Sequence, residues 1–220
     1  MAPFRADALP PDAAERLPAA LLATLASRGD NRTFPAHAIL INEGDDTDSI
    51  YIVLGGRVKV YATSDQGREF VLAEMGPGEY LGELSLSGEK RSVSVQALEP
   101  TRCCIVPSAE LKQFLAENPE FAWHLTRKLM HMVRRLTGQA KSLALQDVYG
   151  RVAHLLNKAA ETQDGVRVVP HKLTHQDIAD RVGSSREMVT RIMKALMSGG
   201  YMAVDEKHRL VILRKLPAAW

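Results

Sequence analysis

Residues 173–200 read LTHQDIADRVGSSREMVTRIMKALMSGG, and the pattern predicts two short helices hinged on a glycine. Thr174 followed three residues later by Asp177 has the form of a capping box, with Asp in place of Glu. The first helix is predicted over His175–Val182, with Ala179 small where two helices cross closely. Gly183 supplies the tight turn, and Ser184 or Ser185 caps the second helix. Val189, Ile192 and Leu196 share one face that must be buried, and Gly199-Gly200 end the helix. This is a helix-turn-helix over residues 173–197. On the opposite face stand Arg186, Glu187, Thr190 and, one turn on, Arg191. A helix laid in the major groove offers its N-terminal residues to base edges. Arginine pairs bidentately with guanine, and glutamate accepts from the cytosine amino group. Thr174, Gln176 and Ser185, near helix starts, suit phosphates. A solvated Arg/Glu face is the plainer alternative. The helix-turn-helix spacing favours double-stranded DNA as the partner.

Downstream, YMAVDEKHRLVIL (201–213) reads as a hairpin turning at Asp205–His208, a β wing with Lys207, His208 and Arg209 near its tip for the phosphate backbone. Upstream, Asp147 reads as the N-cap of the helix VYGRVAHLLNKAAE. A turn at Gln163-Asp164-Gly165 and a strand VRVV lead into the helix-turn-helix. A DNA-binding domain is therefore expected over 147–220.

Before it, Asn118-Pro119-Glu120 gives an N-cap, a proline at the first helical position and an early acid. The helix they start is predicted to run to about Gln146, making 118–146 one element. Leu125, Leu129, Met132, Leu136 and Leu143 form a narrow seam, with Gln139 at the missing position. Such a seam suggests a homodimeric coiled coil; a helix buried within one chain is the alternative. A second stripe, Phe121, Val133, Ala140 and Ala144, is expected to pack on the preceding domain.

That domain, 33–117, has another texture. The runs AILI, SIYIVL, RVKVYA, EFVLAEM, SVSVQAL and RCCIVP are separated by turns such as Asp65-Gln66-Gly67 and Gly76-Pro77-Gly78. Alternation with regular turns predicts an antiparallel β roll or sandwich. Gly55-Gly56 suggests a two-residue hairpin, and Ser108 an N-cap for AELKQFLAE. The first segment, 1–32, is expected to hold an amphipathic helix over roughly Asp12–Ser27. The fold class is thus α+β.

The 220 residues carry a net charge of +2, are 45% hydrophobic and 25% charged, and include two cysteines. Those values suit a soluble globular protein of two modest domains. Cys103 and Cys104 are neighbours in a predicted strand, point to opposite faces and are not expected to pair. No cysteine–histidine cluster indicates zinc or iron–sulfur, and His37, His124 and His131 read as ordinary histidines rather than haem ligands. No run of about 18 apolar residues suggests a membrane span, and the N-terminus makes a poor signal peptide, so the cytoplasm is the expected compartment. No nucleophile–base pair, metal site or Walker loop suggests an enzyme.

Two stretches give the chain a family resemblance. SSREMVTRIMKAL and GPGEYLGELSLSGEKRSVSVQAL resemble the recognition helix and the phosphate-binding cassette of the Crp–Fnr transcription regulators. The resemblance covers nearly the whole chain. It implies an N-terminal cyclic-nucleotide-binding β roll, a dimerisation helix and a C-terminal winged helix-turn-helix. It implies that Arg186, Glu187 and Arg191 read TGTGA-like half-sites in an inverted repeat, with RNA polymerase as a candidate further partner. In the cassette it places Gly82, Glu83, Leu84, Arg91 and Ser92 on an effector. Chemistry agrees: backbone N–H groups at Gly82–Leu84 suit an anion, Glu83 a ribose hydroxyl, and Arg91 with Ser92 a phosphate. A glycine turn with surface Glu and Arg is the alternative. The chain departs from the family's cyclic-AMP-binding members in two places. The loop between Glu83 and Arg91 is two residues shorter, and the paired hydroxyls of the dimer helix fall on Leu136 and Thr137. Arg134 and Arg135, one turn earlier, could instead face a more anionic ligand such as cyclic di-GMP. The candidate effectors are therefore cyclic AMP, another cyclic mono- or dinucleotide, or none. A ligand-sensing module acting on a protein partner is the reading from another class.

Overall fold

The computed structural model describes residues 16–217. In chain order the elements are α1 (Ala19–Ala26), β1 (Asp30–Phe34), β2 (Ile39–Ile41), β3 (Ser49–Gly55), β4 (Val58–Thr63), β5 (Glu69–Met75), β6 (Tyr80–Leu81), a 3₁₀ turn (Glu83–Ser87), β7 (Ser94–Ala97) and β8 (Thr101–Pro107). There follow α2 (Ser108–Glu117), α3 (Pro119–Leu145), α4 (Val148–Ala159), β9 (Glu161–Gln163), β10 (Val166–Val168), α5 (His175–Val182), α6 (Arg186–Ser198), β11 (Met202–Val204) and β12 (Leu210–Ile212). Two compact units meet within α3, one ending at Leu136 and the other beginning at Thr137.

The first unit is the expected antiparallel roll, built from two four-stranded sheets in the orders β1-β8-β3-β6 and β2-β7-β4-β5. Period-two alternation along β8 feeds two cores at once. Cys103 joins Phe34, Val53, Val58, Leu81 and Val95 in one, while Cys104 joins Ile50, Ile52, Phe114 and Phe121 in the other. The two thiols are free, buried and on opposite faces, as the strand reading requires. Desolvation pushes the Cys103 thiol up to about 12.

The Gly55-Gly56 hairpin does not form. β3 and β4 belong to different sheets, and β4 pairs instead with β5 across the Asp65-Gln66-Gly67 turn. The backbone passes from one sheet to the other at Gly56, where φ is +78°. A Cβ there would sit 2.5 Å from the carbonyl oxygen of Pro100, so glycine is demanded by a close crossing rather than by a turn.

Two helix starts also differ from the reading, and that of α3 agrees with it. α1 begins at Ala19, because Pro18 occupies the N-cap and the preceding Leu17 donates its N–H to Gly78 O; residues 12–15 of the expected helix lie outside those described. Pro107, not Ser108, precedes α2, and the buried Ser108 is its first residue. Asn118 serves both neighbours: its side-chain amide donates to Phe114 O, and its carbonyl accepts from the N–H groups of Phe121 and Ala122.

The second unit is the winged helical domain. Asp147 caps α4 through the N–H of Gly150. Tyr149, Val152 and Leu156 from α4, Ile178, Ala179 and Val182 from α5, and Val189, Ile192, Met193 and Leu196 from α6 close one core. A four-stranded sheet, β11-β12-β10-β9, flanks it, and β11–β12 is the predicted wing hairpin. The Thr174–Asp177 capping box is complete, Gly183 turns the chain at φ +64°, and Ser185 caps α6 through the N–H of Met188.

Candidate effector cavity and DNA-reading helix

The cassette builds a cavity of roughly 170 Å³ in the first unit. Val60, Leu72, Met75 and Leu84 form its apolar wall, and Gly82, Glu83, Arg91 and Ser92 its polar rim. Met132, Arg135 and Leu136 of α3 border it from the other side. All five cassette residues expected at one site are thus brought together; Thr137 is not among the lining residues. Gly82 holds φ +89°, and a Cβ there would meet Arg91 Nη1 at 2.8 Å and Ser49 O at 3.0 Å. Its glycine lets the arginine lie against the backbone.

Arg91 is held from three sides. Nε donates to Thr47 Oγ1 at 2.8 Å, Nη1 to Gly82 O at 3.0 Å and Nη2 to Ser49 O at 2.5 Å. Burial lowers its pKa from the usual arginine value, and the nearby Tyr51, Asp48, Asp45 and Glu83 pull the other way. These bonds fix the guanidinium plane. They use three N–H groups of the fork's five.

Glu83 is also engaged. Its carboxylate lies 2.9 Å from Lys128 Nζ of α3, with the two side chains 4% and 2% exposed. The ammonium also donates to Tyr80 O and lies 3.8 Å from the centre of the Tyr80 ring. Next to it on α3, His124 is buried between Tyr80 Oη at 3.2 Å and Arg16 O at 2.9 Å. Sequence reasoning missed Lys128. The signal was present: Phe121, His124, Leu125 and Lys128 fall at i, i+3, i+4 and i+7, and all four are buried.

The residues of the expected seam on α3 differ in exposure within one chain. Leu125 is buried in the roll's own core, and Met132 and Leu136 line the cavity. Leu129 is half-buried and Leu143 remains exposed. Of the second stripe, Phe121 is buried in the roll's core and Val133 is 63% exposed. The outward apolar groove of the first unit is formed by Thr126, Leu129, Met130, Val133 and the stem of Arg134. Phe121, His124, Leu125 and Lys128 all turn inward, while Leu136 and Leu143 of the expected seam stay 40% and 43% exposed. Arg134 lies in this groove while Arg135 borders the cavity.

On α6, Arg186, Glu187 and Arg191 are exposed together. The Glu187 carboxyl is held below the usual carboxylate range, first by its own backbone N–H and then by the Ser185 hydroxyl. It is thus an acceptor at neutral pH. Thr190, expected to face bases, donates its hydroxyl to Arg186 O at 2.8 Å and lies 2.9 Å from His175 Nδ1, which ties α5 to α6. Gln176 donates to Asp180 at 2.7 Å, and the Thr174 hydroxyl is used in its cap. At the wing tip Lys207 and His208 are exposed, whereas Arg209 is paired with Asp205 at 2.7 Å. Among the described residues no group of three or more His, Cys, Asp or Glu could hold a metal ion, and no helix is long and apolar enough to cross a membrane.

Residues 31–118 match the cyclic nucleotide-binding domain family, and residues 150–218 the Crp-like helix-turn-helix domain family. Over 171 residues, 74% of this chain and 75% of its relative, the sequence is 34% identical to the cAMP-activated global transcriptional regulator CRP of Haemophilus influenzae. The chain belongs to the Crp–Fnr family of transcription regulators. A CRP-like cAMP-activated global transcriptional regulator of Mycobacterium tuberculosis is 33% identical over 183 residues, 81% of this chain and 82% of that protein. In fold, the Crp–Fnr chain described here resembles the c-di-GMP responsive global regulator CLP of Xanthomonas campestris, with a TM-score of 0.79 at 24% identity over 89% of this chain and 99% of that one. The shared fold accounts for the order of roll, long helix and winged helix-turn-helix.

Proposed function

We propose that this Crp–Fnr regulator is a homodimer whose affinity for TGTGA-like inverted repeats is set by a cyclic mononucleotide bound in the β-roll cavity. The observation that carries the reading is the convergence of Glu83, Arg91 and Ser92 on one cavity bordered by α3. Arg91 has guanidinium N–H groups left for a phosphate after its three backbone and threonine bonds. Roughly 170 Å³ is small against the ~300–1,000 Å³ of usual ligand pockets. That favours one nucleotide over a cyclic dinucleotide. The cAMP-activated relatives support cyclic AMP as the first candidate. The exposed groove at Thr126, Met130 and Val133 supplies the dimer seam. Two reading helices then face half-sites one DNA turn, about 34–36 Å, apart.

Fluorescence anisotropy with an inverted-repeat duplex, titrated with and without cyclic AMP, tests this reading. The nucleotide should tighten specific binding; equal affinity in both titrations refutes the gating. Within the same assay the base-reading and phosphate-binding roles separate. Glu187→Ala should cost about 1–3 kcal/mol on the preferred site and relax selection at one base pair. Lys207→Ala should weaken all sequences alike and reduce the salt slope by about 1. Identical behaviour of the two variants in a binding-site selection refutes the assignment.

A further inference from the structure

We infer that Lys128 is a specificity-determining residue of the effector cavity: it positions the Glu83 carboxylate to accept a sugar hydroxyl. The inference rests on the cavity being a cyclic-nucleotide site. Glu83 sits at the start of a five-residue 3₁₀ turn, 5% exposed, where a free carboxylate would be costly. The Lys128 ammonium compensates it at 2.9 Å. The ammonium cannot follow a moving carboxylate, because Tyr80 O and the Tyr80 ring hold it in a fixed place. Tyr80 itself is fully buried and packs against Phe121 at 5.7 Å between ring centres. One carboxylate oxygen, Oε1, faces the lysine. A carboxylate has about four lone-pair sites, so the pair leaves acceptor capacity on Glu83, which lines the cavity. A carboxylate fixed in one orientation recognises a hydroxyl by geometry. A ligand lacking that hydroxyl leaves a desolvated acceptor unpaired. Because Lys128 lies on α3 and Glu83 in the cassette, the same pair joins the cavity rim to that helix.

The test compares cyclic AMP with 2′-deoxy-cyclic AMP by calorimetry on the full chain. The wild-type protein should prefer the ribose form by about tenfold, near the worth of one hydrogen bond to a charged group. In Lys128→Met the preference should fall to under about threefold while binding of the deoxy form changes little, and Lys128→Arg should retain most of it. Glu83→Gln should remove the preference, and adding Lys128→Met to it should change nothing further. Should Lys128→Met fail to fold, Lys128→Gln, which keeps a hydrogen-bond donor, takes its place and should narrow the preference. An undiminished preference in the lysine variant overturns the inference, as does an equal loss of both ligands, the mark of a merely structural role. If the wild-type chain binds neither compound, the cavity reading fails and this inference with it.

Discussion

A chain carrying Val133→Glu is expected to be a monomer with both units folded, and to bind an inverted-repeat operator about 10²–10⁴-fold more weakly than the wild-type protein. Val133 is 63% exposed and Met130, one turn before it, 52%. Two neighbouring apolar side chains at those exposures, beside Leu129 and Thr126, form a face that water does not favour. Each copy of the chain carries the same groove, so a two-fold pairing buries it against itself. A carboxylate placed there must be desolvated without a partner, which such an interface does not tolerate. The operator effect follows because a second half-site contact is made at high effective concentration only when the two heads are joined. Sedimentation equilibrium gives the oligomeric state and anisotropy the affinity. Arg127→Ala, on an exposed position of the same helix, should leave both unchanged. A Val133→Glu protein that stays dimeric would place the interface elsewhere.

Lys128→Ala is expected to destabilise the first unit by about 3–5 kcal/mol, the usual consequence of leaving a buried charge without its partner. The side chains of Lys128 and Glu83 are 2% and 4% exposed, so solvent cannot take over the lysine's role. The substitution also removes the donor to Tyr80 O and the contact with the Tyr80 ring. Replacing both charges, as in Glu83→Gln with Lys128→Met, should recover much of the loss, because no uncompensated ion remains. Urea unfolding followed by a probe of the roll gives both values. A loss under about 1 kcal/mol for the single variant would mean that the pair is not buried in solution.

The winged domain was the most legible part of the sequence, because its signals are local. The capping box at Thr174–Asp177, the glycine at 183 and the Val189–Ile192–Leu196 face each concern residues within a turn or two of one another, and all appear where expected. The cassette was legible as a motif; its residues meet around one cavity. What the sequence hid is long-range. Alternation along β3 and β4 marks both as strands but carries no information about which strand pairs with which, so the glycine pair between them resembled a hairpin. The inward face of α3 was only partly legible for a related reason. His124 and Lys128 are polar by type, and their burial depends on Tyr80, Glu83 and Arg16, at least 44 positions away for each of the pairings involved.

The central claim is that effector and operator act on one equilibrium, and reciprocal linkage tests it most directly. If cyclic AMP raises operator affinity by some factor, saturating operator must raise cyclic AMP affinity by the same factor. An effector with no preference between the two states shifts nothing, however tightly it binds. Calorimetric titration of the wild-type protein with cyclic AMP, free and then saturated with an inverted-repeat duplex at the same salt, measures that second factor. The dissociation constant should be tighter on DNA, by the ratio that anisotropy gives for operator binding with and without nucleotide. The same cyclic AMP affinity in both titrations would contradict it.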